Sequence, residues 1–144
     1  MKAWILVNQQ KPNAKLLLTI SNNYPELLSK IEEAKKTGIN IENLGFVSQK
    51  DLHGLYLGAK FLVYPSLMES FGLGLIEATK LGCEVIAADR SYVYAVVEPY
   101  SVFDPLEPND IANAVLTALN ADNTALKTQV RVTDDVEKLV NLLK

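Results

Sequence analysis

Short apolar runs alternating with helix-like segments predict an α/β domain, a parallel sheet covered by helices on both faces. Two observations carry this. Leu16 to Ile20, Phe61 to Tyr64 and Glu84 to Ala88 are near-continuous apolar stretches, as strands buried on both faces require. The segments between them carry helix start and stop residues rather than hairpin turns.

Residues 1–10 hold Ala3-Trp4-Ile5-Leu6-Val7, whose period fits helix or strand. Pro12-Asn13 is a turn, and Leu16 to Ile20 a strand. Pro25 opens a helix that runs to about Lys36 and ends at Gly38. Ile41 to Val47 reads as a strand, and Ser48 caps a helix from Gln49 to Gly58. Phe61 to Tyr64 is the next strand, followed by a helix from Leu73 to Leu81 closed by Gly82. Glu84 to Ala88 is a strand, Tyr92 to Val97 a short helix, and Ser101 to Phe103 the last strand. Asn109 is expected to cap a long helix to about Asn120, and a final helix covers Asp134 to Leu143. Asp122 to Thr133 is the most loop-like stretch. No repeat or low-complexity tract interrupts the pattern, and 144 residues make one domain, 1–144.

Composition narrows the function. The chain is 49% hydrophobic with a net charge of -3 and no basic block, which argues against nucleic acid as a partner. One cysteine, Cys83, excludes an internal disulfide and fits a reducing, cytoplasmic compartment. With His53 as the one histidine, a zinc site is not expected, so no metal ligand is assigned. No apolar run approaches the roughly 20 residues that span a bilayer. Cys83 reads as a small buried hydrophobe, His53 as a surface residue, and Tyr92, Tyr94 and Tyr100 as packing or rim residues.

The chemistry concentrates between Glu69 and Glu77. Glu69-Ser70-Phe71-Gly72-Leu73-Gly74-Leu75-Ile76-Glu77 joins a buried strand to a helix. That junction is where open α/β sheets bind ligands. A helix start offers free N–H groups and a positive dipole end to phosphate. Carboxylates repel phosphate but accept bonds from the hydroxyls of a sugar or ribose. The combination points to a sugar–phosphate ligand. Each residue also has a plainer role: Glu77 as an exposed helix residue near Lys80, Glu69 as a dipole complement, Ser70 as a cap and the glycines as turn formers. Gly72-Leu73-Gly74-Leu75-Ile76-Glu77 with Asp89 is also a partial dinucleotide fingerprint. Glu77 in the third glycine's place, and the six residues Ser66 to Phe71 between the strand's Pro65 end and Gly72, count against it.

Glu69 and Glu77, with seven residues between them in Tyr64-Pro65-Ser66-Leu67-Met68-Glu69 to Glu77-Ala78, resemble the E-x7-E signature of retaining group 1 (family 4) glycosyltransferases. Asn43-Leu44-Gly45-Phe46-Val47 upstream resembles the same family. So do Gly82 to Asp89, Phe103-Asp104-Pro105 and Asp110-Ile111-Ala112 downstream. The likeness spans roughly residues 3–120. It implies a GT-B fold, two Rossmann-like halves facing a cleft, of which this chain is the carboxy-terminal, donor-binding half. By resemblance, Glu69 is catalytic and holds the donor sugar, and Ser70, Phe71, Gly72, Leu73 and Gly74 receive sugar hydroxyls and diphosphate. Glu77 takes the ribose, and Phe46 and Val47 lie against the base. The ligand is a nucleotide-diphosphate sugar, a substrate rather than a cofactor, and no catalytic metal is implied. The reaction is retaining transfer to a glycan or lipid-linked acceptor in surface polysaccharide synthesis.

Three departures modify that expectation. Gly74 stands where the family usually has proline, implying a looser loop. Ala95 stands where it often has a glutamate. Lys2-Ala3-Trp4 matches a point partway through the family's first helix, so the domain is expected to lack its first strand. The arginine and lysine that follow that strand and clamp the diphosphate are lacking too. The neighbours of that strand would then keep unpaired backbone groups. The amino-terminal acceptor half would have to act as a partner in cis or in trans, and the chain alone would be inactive. Association of the full enzyme with the inner membrane face fits the family, but this chain carries no basic amphipathic helix toward it.

Overall fold

The computed structural model describes residues 1–121 and 127–132. In chain order it has α1 (Lys2–Gln10), β1 (Leu16–Leu18), α2 (Pro25–Lys36), β2 (Ile41–Asn43), α3 (Gln49–Gly58), β3 (Phe61–Tyr64) and α4 (Leu73–Lys80). Then follow β4 (Glu84–Ala88), α5 (Ser91–Val96), β5 (Val97–Glu98), β6 (Ser101–Phe103), α6 (Pro108–Asn120) and β7 (Gln129–Val130). The helix expected over Asp134 to Leu143 lies outside the described residues, as do residues 122–126 and 133 of the loop-like stretch.

The strands that face helices are parallel, but they do not form one sheet. β1 pairs with β2, while β3, β4 and β6 form a separate three-stranded sheet in that order. Among the described residues β1 bonds only to β2, and β3 only to β4. A small antiparallel pair, β5 with β7, adds to the purely parallel pattern expected from sequence.

Side-chain alternation along β4 separates the layers. Ile86 and Ala88 face a core built with Trp4 and Val7 of α1, Ile31 and Ala34 of α2, Phe103 of β6 and the alanine-rich face of α6. Val85 and Ala87 face the other side, against Leu75 and Ile76 of α4 and Val93 and Val96 of α5. Period two on a strand thus puts helices on both faces. The first core also takes in Ile41 of β2, and Leu16, Leu18, Phe61 and Val63 pack against it. One apolar layer therefore spans both sheets.

Local signals explain most boundaries. Trp4, Val7 and Asn8 lie three and four apart and give α1 its buried face, settling the helix-or-strand ambiguity. Pro25 starts α2 with its fixed φ, and Gly38 at φ +87 follows its end. The Ser48 hydroxyl accepts from the Asp51 N–H at 3.2 Å, capping α3. The expected strands Leu16–Ile20 and Ile41–Val47 both stop early. The Asn43 side chain accepts from the Ile20 N–H (2.8 Å) and donates to the Ile20 carbonyl (2.9 Å), replacing the ladder with a side-chain clamp. The cap expected at Asn109 falls two residues earlier, at Glu107 with no side-chain cap bond, because Pro108 supplies the first-turn geometry.

Cys83 is buried, 1% exposed, and packs with Tyr56 and Ala78. Burial, with Glu84 adding to it, pushes its thiol from 9.0 up to about 11. The folded chain disfavours the thiolate. The resulting stability is therefore complete below pH 9 and is lost as pH rises toward 11. We expect native Cys83 to resist a thiol-disulfide reagent at pH 8 and to react at once in denaturant. Fast reaction of the native chain would contradict this burial.

Candidate functional site

The site lies beyond the carboxyl ends of β2 and β3, where loops carry the predicted residues. Gly72 is the N-cap of α4 in the left-handed region, at φ +76. A Cβ there would stand 3.1 Å from Leu75 Cδ1, so glycine serves both the turn and the close approach. Ser70 is not the cap that the plainer reading offered; α4 has no side-chain cap. Gly74 sits inside the first helical turn rather than in a loosened loop. The N–H groups of Phe71, Gly72, Leu73 and Gly74 donate to no other backbone group among the described residues. They form a cluster of donors at the positive end of α4.

Glu69 is half-buried, and one of its oxygens accepts from the Tyr64 hydroxyl at 3.0 Å. Glu77 is also half-buried, on α4. Its nearest partner is the Gln49 side-chain amide, 3.4 Å away, rather than Lys80. Gln49 opens α3 just after the turn that holds Phe46 and Val47. The structure thus brings Glu77 near the turn of Phe46 and Val47. Phe46 is 87% exposed, a free aromatic face at the rim, and Val47 is half-buried. Phe71 and Leu73 are 52% and 57% exposed, which leaves the loop's apolar side open.

Three tyrosines underlie this loop, and sequence reasoning passed over two of them, Tyr56 and Tyr64. Tyr56 is buried beneath α4, its hydroxyl 3.4 Å from where a Gly74 Cβ would stand. Burial and the nearby Glu77 raise its phenol above its ordinary value. Tyr92, expected to be a packing or rim residue, donates its hydroxyl to the Ser66 carbonyl at 2.8 Å. The signal for Tyr64 was its place as the last strand residue, five before Glu69. Of the other tyrosines, Tyr94 donates to Asp89 at 2.9 Å and Tyr100 packs edge-on against Phe61. Asp89, the acid of the alternative dinucleotide fingerprint, is exposed and engaged by Tyr94. His53 is half-buried on α3. Among the described residues no three His, Cys, Asp or Glu side chains gather as a metal cluster, and no helix is long and apolar enough to cross a membrane.

The layered α/β fold, helices on both faces of parallel strands, is that of a GT-B glycosyltransferase domain. Residues 1–135 match the family of glycosyl transferases group 1, and the chain belongs to it. It is 36% identical over 84 residues to the O-antigen chain mannosyltransferase B of Escherichia coli, covering 58% of this chain and 22% of that protein. It is 32% identical over 100 residues to the serotype-specific mannosyltransferase WbdA of Escherichia coli, covering 66% of this chain and 12% of that protein. The chain therefore spans less than a quarter of the length of these relatives. Among solved structures, sucrose-phosphate synthase from Thermosynechococcus elongatus superposes with a TM-score of 0.68 at 26% identity, over 82% of this chain and 32% of that one. Anabaena HepE, solved with UDP and glucose, gives 0.69 at 20% identity, over 83% of this chain and 34% of that one.

Proposed function

We propose that this chain is the carboxy-terminal, donor-binding half of a retaining, family 4 glycosyltransferase that uses a nucleotide-diphosphate sugar. The observation that carries this reading is the position of Glu77. This half-buried carboxylate lies on α4, whose start carries the free N–H groups, and its one side-chain bond among the described residues is a long one from Gln49, which follows the exposed Phe46 turn. A carboxylate so placed needs hydroxyl donors. A ribose between a base on Phe46 and Val47 and a diphosphate on α4 supplies them.

In this reading Glu69 holds the donor sugar at the reacting face. Ser70 and the N–H groups from Phe71 to Gly74 receive sugar hydroxyls and diphosphate. As the sugar moves to the acceptor hydroxyl, the nucleoside diphosphate leaves with its negative charge, and the acceptor gives up a proton. The helix start stabilises that charge as it develops. The names of the Escherichia coli relatives favour mannose as the sugar and a surface polysaccharide as the product. The acceptor half acts in cis or in trans, and the full enzyme works in the cytoplasm, peripheral to the inner membrane face.

The interrupted sheet favours a second reading, a nucleotide- or partner-binding domain without catalysis of its own. Calorimetric titration with UDP, GDP, ADP and NAD tests the first. Saturable binding of one nucleoside diphosphate, and not NAD, is the expected result. No binding by a well-folded sample would refute it. Transfer by the chain alone, with a panel of nucleotide sugars and acceptors, is expected to be negligible; robust transfer would refute the dependence on an acceptor half.

A further inference from the structure

Among the described residues, 65–71 make no backbone–backbone hydrogen bond, and side chains hold the Glu69 loop in shape. Three side-chain bonds do so: Tyr64 Oη to Glu69 Oε1 (3.0 Å), Tyr92 Oη to the Ser66 carbonyl (2.8 Å) and Ser66 Oγ to the Met68 carbonyl (3.1 Å). The two tyrosine rings meet edge to face, with centroids 6.4 Å apart and planes at 63°. Both rings pack against the buried cluster of Leu75, Val85, Ala87 and Val93. The same rings back the glycines: a Cβ on Gly72 would stand 3.7 Å from Tyr92, and one on Gly74 would stand 3.7 Å from Tyr64.

We propose that Tyr64 and Tyr92 are positioning residues for the donor loop, Tyr92 anchoring its start and Tyr64 fixing the rotamer of Glu69. This rests on the donor-binding reading above. Tyr64 engages Oε1 alone, and Oε2 has no partner among the described residues. The paired oxygen sets the direction of the free one, which is left to accept a sugar hydroxyl. Burial, and after it the bond to Glu69, holds the Tyr64 phenol well above its ordinary value, so it stays a donor at any working pH. Neither tyrosine touches the ligand; each acts through the loop.

Tyr64→Phe and Tyr92→Phe each remove one oxygen and keep the ring. We would measure backbone order parameters across residues 66–70, melting temperature, and calorimetric affinity for UDP, GDP, UDP-glucose and GDP-mannose. In either variant the order parameters are expected to fall from about 0.85 toward 0.6, with the melting temperature moved by only a few degrees. Tyr64→Phe is expected to weaken the nucleotide sugar about tenfold, the weight of one charge-assisted bond, and to leave the bare diphosphate within about twofold. A purely structural role would weaken both ligands together and lower the melting temperature with them. Unchanged order parameters in both variants would overturn the proposal, as would equal losses for sugar and diphosphate. A wild-type chain that binds none of the four would overturn the donor reading instead, while the order parameters still decide the bracing.

Discussion

Glu77→Ala is expected to weaken the nucleoside diphosphate that the chain selects by at least about a hundredfold. A carboxylate accepting two ribose hydroxyls makes two hydrogen bonds to a charged group, each worth about 1.5–3 kcal/mol, and their loss compounds. Glu77→Gln keeps the shape and one acceptor, so an intermediate loss of about tenfold is expected. The fold should survive both changes, because the one side-chain hydrogen bond of Glu77 among the described residues, from Gln49, is long at 3.4 Å. Calorimetry on the variants, with circular dichroism to check folding, measures this. A Glu77→Ala chain that binds as tightly as the parent would remove the ribose from this part of the site.

Asn8→Leu is expected to be the most damaging of the single changes considered, at about 3 kcal/mol of stability. Asn8 is 5% exposed, the one buried polar side chain among the described residues. Its amide nitrogen reaches the carbonyls of Lys11, Pro12 and Ala14 at 3.3–3.4 Å, and its oxygen accepts from the Asn40 N–H at 3.1 Å. The Asn40 carbonyl in turn accepts from the Trp4 indole at 3.0 Å and from the Leu16 N–H at 3.1 Å. One side chain thus shapes the turn after α1 and ties it to the residue that leads into β2. Leucine has similar bulk but satisfies none of these groups, so their desolvation is left uncompensated. A urea midpoint indistinguishable from the parent's would show that water serves them equally well.

How much of this was legible from sequence depended on whether the determinant was local. Pro25, Ser48 and Gly82 mark α2, α3 and α4 correctly because a cap or a turn glycine acts within a few residues. The apolar runs of β3 and β4 needed no partner to be recognised. The ends of β1 and β2 were not legible, because they are set by Asn43 reaching Ile20 across 23 residues. β5 and β7 were missed for the same reason: two residues each, paired across about thirty positions, leave no periodic trace. In the site, Gly72 and the two glutamates could be read because their spacing follows the strand-to-helix junction. The approach of Gln49 to Glu77, 28 residues apart, and of Tyr92 to Ser66, 26 apart, exists only in three dimensions.

The interruption between the two parallel sheets has a consequence for how the domain moves. Backbone ladders resist shear because each bond has a direction; apolar contact does not, and lets packed pieces slide. Phe46 and Val47 follow β2, on one side of this seam, and Glu69 and Glu77 lie beyond β3, on the other. A nucleotide lying across both would act as a clasp, stitching the two pieces together without a new strand. Its binding energy would then appear as rigidity, and melting should rise with ligand concentration as linkage requires.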